Sequence, residues 1–295
     1  MKQIDQLAYD ENEYSLGFTK KFFRKFIKNH NNFTDSYRYS RITIFREFSI
    51  YLCNLGISSY IPKKLPWPKS KYVAHVYSHS ELSKIFEVID GMRVKQQMPY
   101  ANIFCFPILI RFLYCTGVRS IEALTLRDEN VNINEKYIII NDSKSGKERV
   151  IPISETLAVE LSTYLNYRDK LKNKNIDGYF FIKHNGEKLA KAAINTRFRK
   201  CLEIAGIARD DINNKKRLHD LRHTFAVHAL IKMIESGLDL YVSLPILSQY
   251  LGHSSIKSTD TYVKLTTAIY PDVIKMLDIL TFDLIPKNAI INEDN

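Results

Sequence analysis

Two short segments carry side chains able to handle a phosphate or another oxyanion. In His219-Asp-Leu-Arg-His223 the two histidines stand at i, i+4, the spacing of zinc ligands on one helix face. The glutamate that serves as general base in that motif is replaced by Asp220, and a third ligand is not evident. The better reading pairs His219 with Arg222, which share a face at i, i+3. An imidazole and a guanidinium projecting together make an oxyanion or phosphate site. Arg119 offers a second guanidinium just after a Thr116-Gly117 turn, and Glu122, one helical turn on, can hold its fork in place. Standing alone, each arginine would read as a surface ion pair and His219 as a satisfied core histidine. No P-loop, no Gly-rich dinucleotide fingerprint and no GxSxG elbow occurs, so the expected chemistry uses no nucleotide cofactor.

The elements that must position these groups are mostly helical. Phe18, Phe22 and Phe26 recur every four residues and form one stripe of a helix, with Lys21, Arg24, Lys25 and Lys28 largely off it. A second helical pattern runs from about Thr34 to Leu55 and stops at Gly56, a C-terminal cap. Three prolines within 61–70 block both helix and central strand, and the lysines among them make an extended basic linker. Ser78-His-Ser-Glu81 has capping-box spacing and opens a new helix. An apolar helix covers about Tyr100 to Cys115, with Pro107 as its kink or its true start. Strand signals follow at 131–132, 137–140 and 150–153, the last two flanking a hairpin turn at Ser143-Lys-Ser-Gly146. Further helices are expected at 154–172, 189–205, 219–235, 244–251, 256–264 and 270–279. The expected fold class is mainly α with a small antiparallel sheet. Its parts are a short helical domain at 1–60, a linker at 61–77, a larger catalytic domain at 78–280 and a tail at 281–295.

Composition narrows the partner. The chain has 295 residues, 43 Lys plus Arg against 32 Asp plus Glu, and a net charge of +11. Its hydrophobic fraction of 45% excludes a disordered chain. The basic charge is uneven, with eight cations against one acid between Gly17 and Arg46. Nucleic acid is the first candidate, since cationic side chains displace counterions condensed on a phosphate backbone. The expected contacts are Lys20, Lys21, Arg24, Lys25, Lys28, Arg38, Arg41, Lys63, Lys64 and Lys69. Four scattered cysteines without a CxxC pair fit reduced thiols, and no apolar run reaches the length of a membrane span. With two acids by Asp10 and no apolar core, the N-terminus does not read as a signal peptide. A cytoplasmic, nucleoid-associated protein is expected.

Three blocks unite the candidate residues. They are Thr116-Gly-Val-Arg119-Ser-Ile-Glu122-Ala-Leu124, Leu218-His-Asp-Leu-Arg222-His-Thr-Phe-Ala226, and Leu251-Gly-His253 followed nine residues later by Tyr262. In order and spacing they resemble the signature boxes of the tyrosine recombinase, or phage integrase, family, close to its Xer-like members. Lys144, in the hairpin turn before Val150-Ile-Pro-Ile153, matches that family's mobile β-hairpin lysine. The resemblance covers about 80–280, and all six expected positions hold the expected residue.

The resemblance implies a role for each. Tyr262 is the nucleophile that forms a 3′-phosphotyrosine and frees a 5′-hydroxyl. Arg119 and Arg222 clamp the non-bridging oxygens, and Glu122 supports Arg119. His219 helps move the tyrosine proton, His253 donates to a phosphate oxygen and Lys144 is the general acid. Lys147 and Arg149 lie close to Lys144. The family places its lysine three residues before the Lys-Glu-Arg lysine, so Lys147 and Arg149 are assigned to DNA contact. No metal and no ATP are implied, and the partners are double-stranded DNA and a homotetramer on two duplexes, monomeric when free. An accessory DNA-bending factor or partner recombinase fits as well. Two rival functions are a type IB topoisomerase-like nicking-closing enzyme and a catalytically idle basic DNA-binding regulator. The 1–60 region is short for the family's SAM-like clamp. The 231–245 stretch is longer than in typical Xer members and resembles some transposon-borne recombinases. In the family such tails can dock on a neighbouring protomer, and a frayed terminus fits this tail equally well.

Overall fold

The computed structural model describes residues 2–10, 16–28, 34–68, 73–92, 103–141, 148–171, 177–207, 216–252, 262 and 265. The chain divides into two units, Met1–Tyr72 and Val73–Asn295.

The first unit contains α1 (Lys2–Asp10), α2 (Lys20–Lys28) and α3 (Asp35–Asn54). The aromatic stripe does form its core: Phe22 and Phe26 are buried, and Phe45 of α3 sits among the rings of Phe18, Phe22, Phe23 and Phe26. α1 was not legible in the sequence, because Ile4 is its single fully buried side chain among those described. Thr34 caps α3 by accepting the Tyr37 amide. Gly56, at φ +82°, ends it, with the amides of Gly56 and Ile57 returning to the carbonyls of Cys53 and Leu52. Residues 61–68 run without regular structure, with the Pro62 carbonyl accepting from Arg46 and Trp67 meeting the Tyr39 ring edge-on at 4.8 Å.

The second unit begins with chain that packs at once. Val76 and Tyr77 are buried, and the Tyr77 amide donates to Thr224 Oγ1 at 2.9 Å. α4 (His79–Asp90) opens on the Ser78/Glu81 capping box. α5 (Phe106–Thr116) starts where Pro107 falls in its first turn, the position where a missing N–H costs nothing. Its Phe106, Leu109, Ile110 and Phe112 are completely buried and form the centre of the main core. α6 (Ser120–Thr125) follows, then an antiparallel sheet of β1 (Val131–Asn132), β2 (Tyr137–Asn141) and β3 (Glu148–Pro152) in that order. The register sets Ile138 opposite Ile151 and Ile140 opposite Arg149. α7 (Glu155–Arg168) and α8 (Lys191–Ile204) complete this layer.

α9 (Asp220–Glu235) and α10 (Leu240–Leu251) share a second apolar cluster that takes in Ala226, Val227, Leu230, Leu247, Leu251 and Tyr262. α10 starts four residues earlier than the expected 244–251, because Asp239 caps it by accepting the Tyr241 amide. Pro245 and Tyr241 are exposed, so the carbonyl that loses its partner can turn to water. Among the described residues no helix is long and apolar enough to cross a membrane. The expected helices at 256–264 and 270–279 and the tail lie outside the described residues, apart from the helical Tyr262 and Leu265.

Candidate active site

α5, α6, α9 and α10 bring the two arginine boxes together. Gly117 closes α5 in a left-handed turn at φ +60°, and a Cβ there would stand 2.2 Å from the Phe225 ring of α9. Only glycine allows α5 and α9 this approach. The turn aims the Gly117 carbonyl at Arg222, which is 3% exposed and donates through Nη1 to it at 2.8 Å and through Nη2 to the Leu251 carbonyl at 2.7 Å. Burial pulls the Arg222 pKa down to about 10, against the pull of the nearby Tyr262 oxygen.

Arg119 is the residue that opens α6. Its Nη1 donates to Glu122 Oε1 at 2.9 Å and its Nη2 to the Gly252 carbonyl at 3.0 Å, while its amide donates to Glu122 Oε2. The side chain stays 36% exposed, so part of the guanidinium faces solvent. Glu122 is nearly sealed. Burial pushes its carboxyl pKa up, but hydrogen bonds and charge from Arg149 and Arg119 outweigh that and hold it below its ordinary value. This is the support for Arg119 that the i, i+3 spacing suggested.

Tyr262 is 2% exposed, and its hydroxyl oxygen accepts from Arg222. Burial raises its pKa, and the charges of Arg222 and Arg119 partly offset that rise. The His223 ring lies 5.6 Å from the Tyr262 ring and 5.0 Å from that of His219. His219 is an exposed residue, yet desolvation by the protein around its ring, with Arg222 and Arg119 beside it, lowers its pKa to about 4. It is therefore a neutral imidazole near pH 7. Among the described residues no group of three or more His, Cys, Asp or Glu is placed to hold a metal ion.

The structure thus gathers Arg119, Glu122, His219, Arg222 and Tyr262. Lys144, Lys147, His253 and Lys69 lie outside the described residues. Arg149, assigned from the sequence to DNA, is 13% exposed and donates to both Glu122 oxygens and to the Tyr250 carbonyl. In the first unit Lys20, Lys21, Arg24, Lys28, Arg38, Lys63 and Lys64 are exposed, and Lys25 and Arg41 are partly covered. Sequence reasoning missed His223 as a neighbour of the tyrosine and the part played by the end of α10. The Leu251-Gly252 pair did signal a helix end there.

The profile described as the Phage integrase family matches residues 76–268. The chain belongs to the phage integrase family. It is 31% identical over 210 residues to a protein named tyrosine recombinase XerA from Pyrococcus horikoshii, a match spanning 70% of this chain and 60% of that one. It is 32% identical over 155 residues to one named tyrosine recombinase XerD from Staphylococcus haemolyticus, which spans 52% of this chain and 48% of that relative. Among solved structures, the XerH site-specific recombinase bound to difH substrate has a TM-score of 0.59 at 20% identity, covering 84% of this chain and 70% of that one. The Tn1549 transposon integrase in complex with transposon right end DNA also has a TM-score of 0.59, at 17% identity, covering 88% and 86%. These two likenesses establish the fold, a mainly helical recombinase architecture with a small antiparallel sheet.

Proposed function

We propose that this protein is a site-specific DNA recombinase that cuts and rejoins duplex DNA through Tyr262. The observation that carries this reading is the Tyr262 hydroxyl on the Arg222 guanidinium, in the charge field of Arg119 and beside the His223–His219 pair. The tyrosine oxygen attacks phosphorus, and the bond from phosphorus to the 5′ oxygen breaks. The phenol proton passes to His219, and Lys144 gives a proton to the leaving oxygen. His253 donates to a phosphate oxygen. The two guanidiniums take the charge that gathers on the non-bridging oxygens, as a divalent metal does in other phosphoryl transfers. The products are a 3′-phosphotyrosine and a free 5′-hydroxyl. One ester replaces another, so reversal needs no ATP.

DNA held by the exposed cations of α2 and α3, and a tetramer of this chain on two duplexes, complete the proposal. An accessory bending factor or partner recombinase remains part of it. The DNA-bound relatives named above support the DNA partner.

The test is a nicked suicide duplex drawn from DNA flanking the encoding gene. The native protein should give a denaturant-stable protein–DNA adduct that survives EDTA, and Tyr262→Phe should give none while still binding DNA. An unchanged adduct in Tyr262→Phe overturns the assignment. A two-site plasmid separates the rival enzyme, since relaxation without recombinant product identifies a nicking-closing activity.

A further inference from the structure

The last carbonyls of α10 receive three arginines in succession. Arg149 Nε donates to Tyr250 at 3.1 Å, Arg222 Nη2 to Leu251 at 2.7 Å and Arg119 Nη2 to Gly252 at 3.0 Å. A helix C-terminus leaves such carbonyls without intrahelical partners and carries partial negative charge. Glu122 adds the full negative charge that lets two of these cations sit together, with Oε1 taking Arg119 Nη1 at 2.9 Å and Arg149 Nη1 at 3.1 Å, and Oε2 taking Arg149 Nη2 at 2.7 Å.

The two guanidiniums on Glu122 are used differently. Arg119 has one nitrogen on Glu122 and one on α10, and its side chain is 36% exposed. Arg149 is 13% exposed and has all three of its nitrogens engaged. Arg149 is also held closely from outside, since a Cβ on Gly252 would come 3.0 Å from its Nη1.

We infer that Arg149 is a positioning residue for strand cleavage: it locks Glu122 and the end of α10, and through them sets the Arg119 fork against the scissile phosphate. Arg149 therefore does not touch DNA. The inference rests on the reading of Arg119 as a phosphate clamp given above. A lysine at 149 keeps the charge but has no planar fork to span both Glu122 oxygens and the Tyr250 carbonyl.

The experiment compares Arg149→Lys, Glu122→Gln and Arg119→Ala on two suicide duplexes, one with a normal scissile phosphodiester and one with a methylphosphonate there. The second linkage lacks the anionic oxygen that a clamp stabilises. Arg149→Lys should slow cleavage of the phosphodiester by roughly 10²-fold, the cost of an ångström-scale misplacement. It should slow the methylphosphonate far less and leave both DNA affinity and its salt dependence at native values. Glu122→Gln should show the same selective loss.

Three results overturn the inference. Weaker binding with a salt slope shallower by about one would make Arg149 a phosphate contact. Equal loss on both linkages would make its role one of general stability. A native rate in Arg149→Lys would leave it no role in cleavage. Arg119→Ala distinguishes the two levels: if it cleaves the phosphodiester at the native rate, the clamp reading fails, whereas a crippled Arg119→Ala beside a native Arg149→Lys sinks only the inference drawn here.

Discussion

On α2, Lys20, Lys21, Arg24 and Lys28 stand exposed along a nine-residue helix that contains no acid. At the junction of α6, α9 and α10, Arg222 is buried and Arg149 largely covered, and their guanidiniums are held by Glu122 and by backbone carbonyls. The same residue types are used in two ways. The cations of α2 remain hydrated and offer long-range attraction that salt weakens. The buried arginines have exchanged water for fixed oxygens, so their geometry is set before any substrate arrives and the fold depends on them. A buried charge with its partners removed is among the costliest defects a fold can carry.

The sharpest way to break this contrast is Arg222→Ala. It removes the donor to two carbonyls, those of Gly117 and Leu251, and the cation beside Tyr262. Stability should fall by about 2 kcal/mol or more, because buried acceptors are left unmade. Cleavage should fall by roughly 10²- to 10³-fold even where the protein is fully folded. Lys28→Ala on α2 should stay within about 0.5 kcal/mol of native. Urea unfolding of the two variants checks the first claim, and similar midpoints would erase the distinction between the two kinds of cation.

The same contrast explains what could be read from the chain. The aromatic stripe, the helical pattern from about Thr34 and the Ser78/Glu81 box are local signals, and each marks a helix of the structure, although α2 begins at Lys20 and leaves Phe18 before it. The arginine boxes were legible only jointly, through the order and spacing of three blocks that resemble a known family, since each arginine alone reads as a surface ion pair. Arg149 was not. Its neighbours in sequence are hairpin charges, and counting charges assigns it to solvent and DNA. Its actual partners, Glu122 and Tyr250, lie 27 and 101 residues away in the chain. The early start of α10 was hidden for a different reason: Pro245, which ordinarily interrupts a helix, lies inside it, and the Asp239 cap opens the helix ahead of it.

Two histidines of the second unit whose pKa values are lowered in the fold give it a pH dependence. His228 of α9 is bonded through Nδ1 to Tyr114 Oη at 3.1 Å and lies against the His79 ring at 4.6 Å. Burial first, then the charge of His79, lowers its pKa to about 4, and His219 is lowered to about the same value. Unfolded histidine titrates near ~6.5, so between that pH and about 4 the unfolded chain binds protons that the folded chain refuses. Stability should be full above about pH 6.5 and fall as pH drops through this window. His228→Gln keeps an acceptor for Tyr114 and removes one of the two groups. Its loss of stability between about pH 7 and 5 should be smaller than that of the native protein by about 1 kcal/mol, a figure reduced for partial solvent screening. Equal losses would mean that His228 titrates normally in the folded protein.

The smallest expected change in stability, and the one that most sharpens the comparison, comes from α2 itself. Lys20 and Arg24, and Arg24 and Lys28, are like-charged pairs at i, i+4, each costing a helix about 0.2–0.5 kcal/mol. Replacing Lys20, Lys21, Arg24 and Lys28 together by Gln should therefore leave the unit as stable as before or slightly more stable. A helix that carries this charge at a small cost to itself is best explained by what the charge attracts. Duplex affinity should fall, and the slope of log affinity against log salt should flatten by about 0.9 for each phosphate contact removed. Fluorescence anisotropy across a salt series reads both. A slope that stays native would mean that these cations keep the protein soluble and hold no DNA, and the contrast between the two units would then separate solvated charge from structural charge rather than two ways of holding a phosphate.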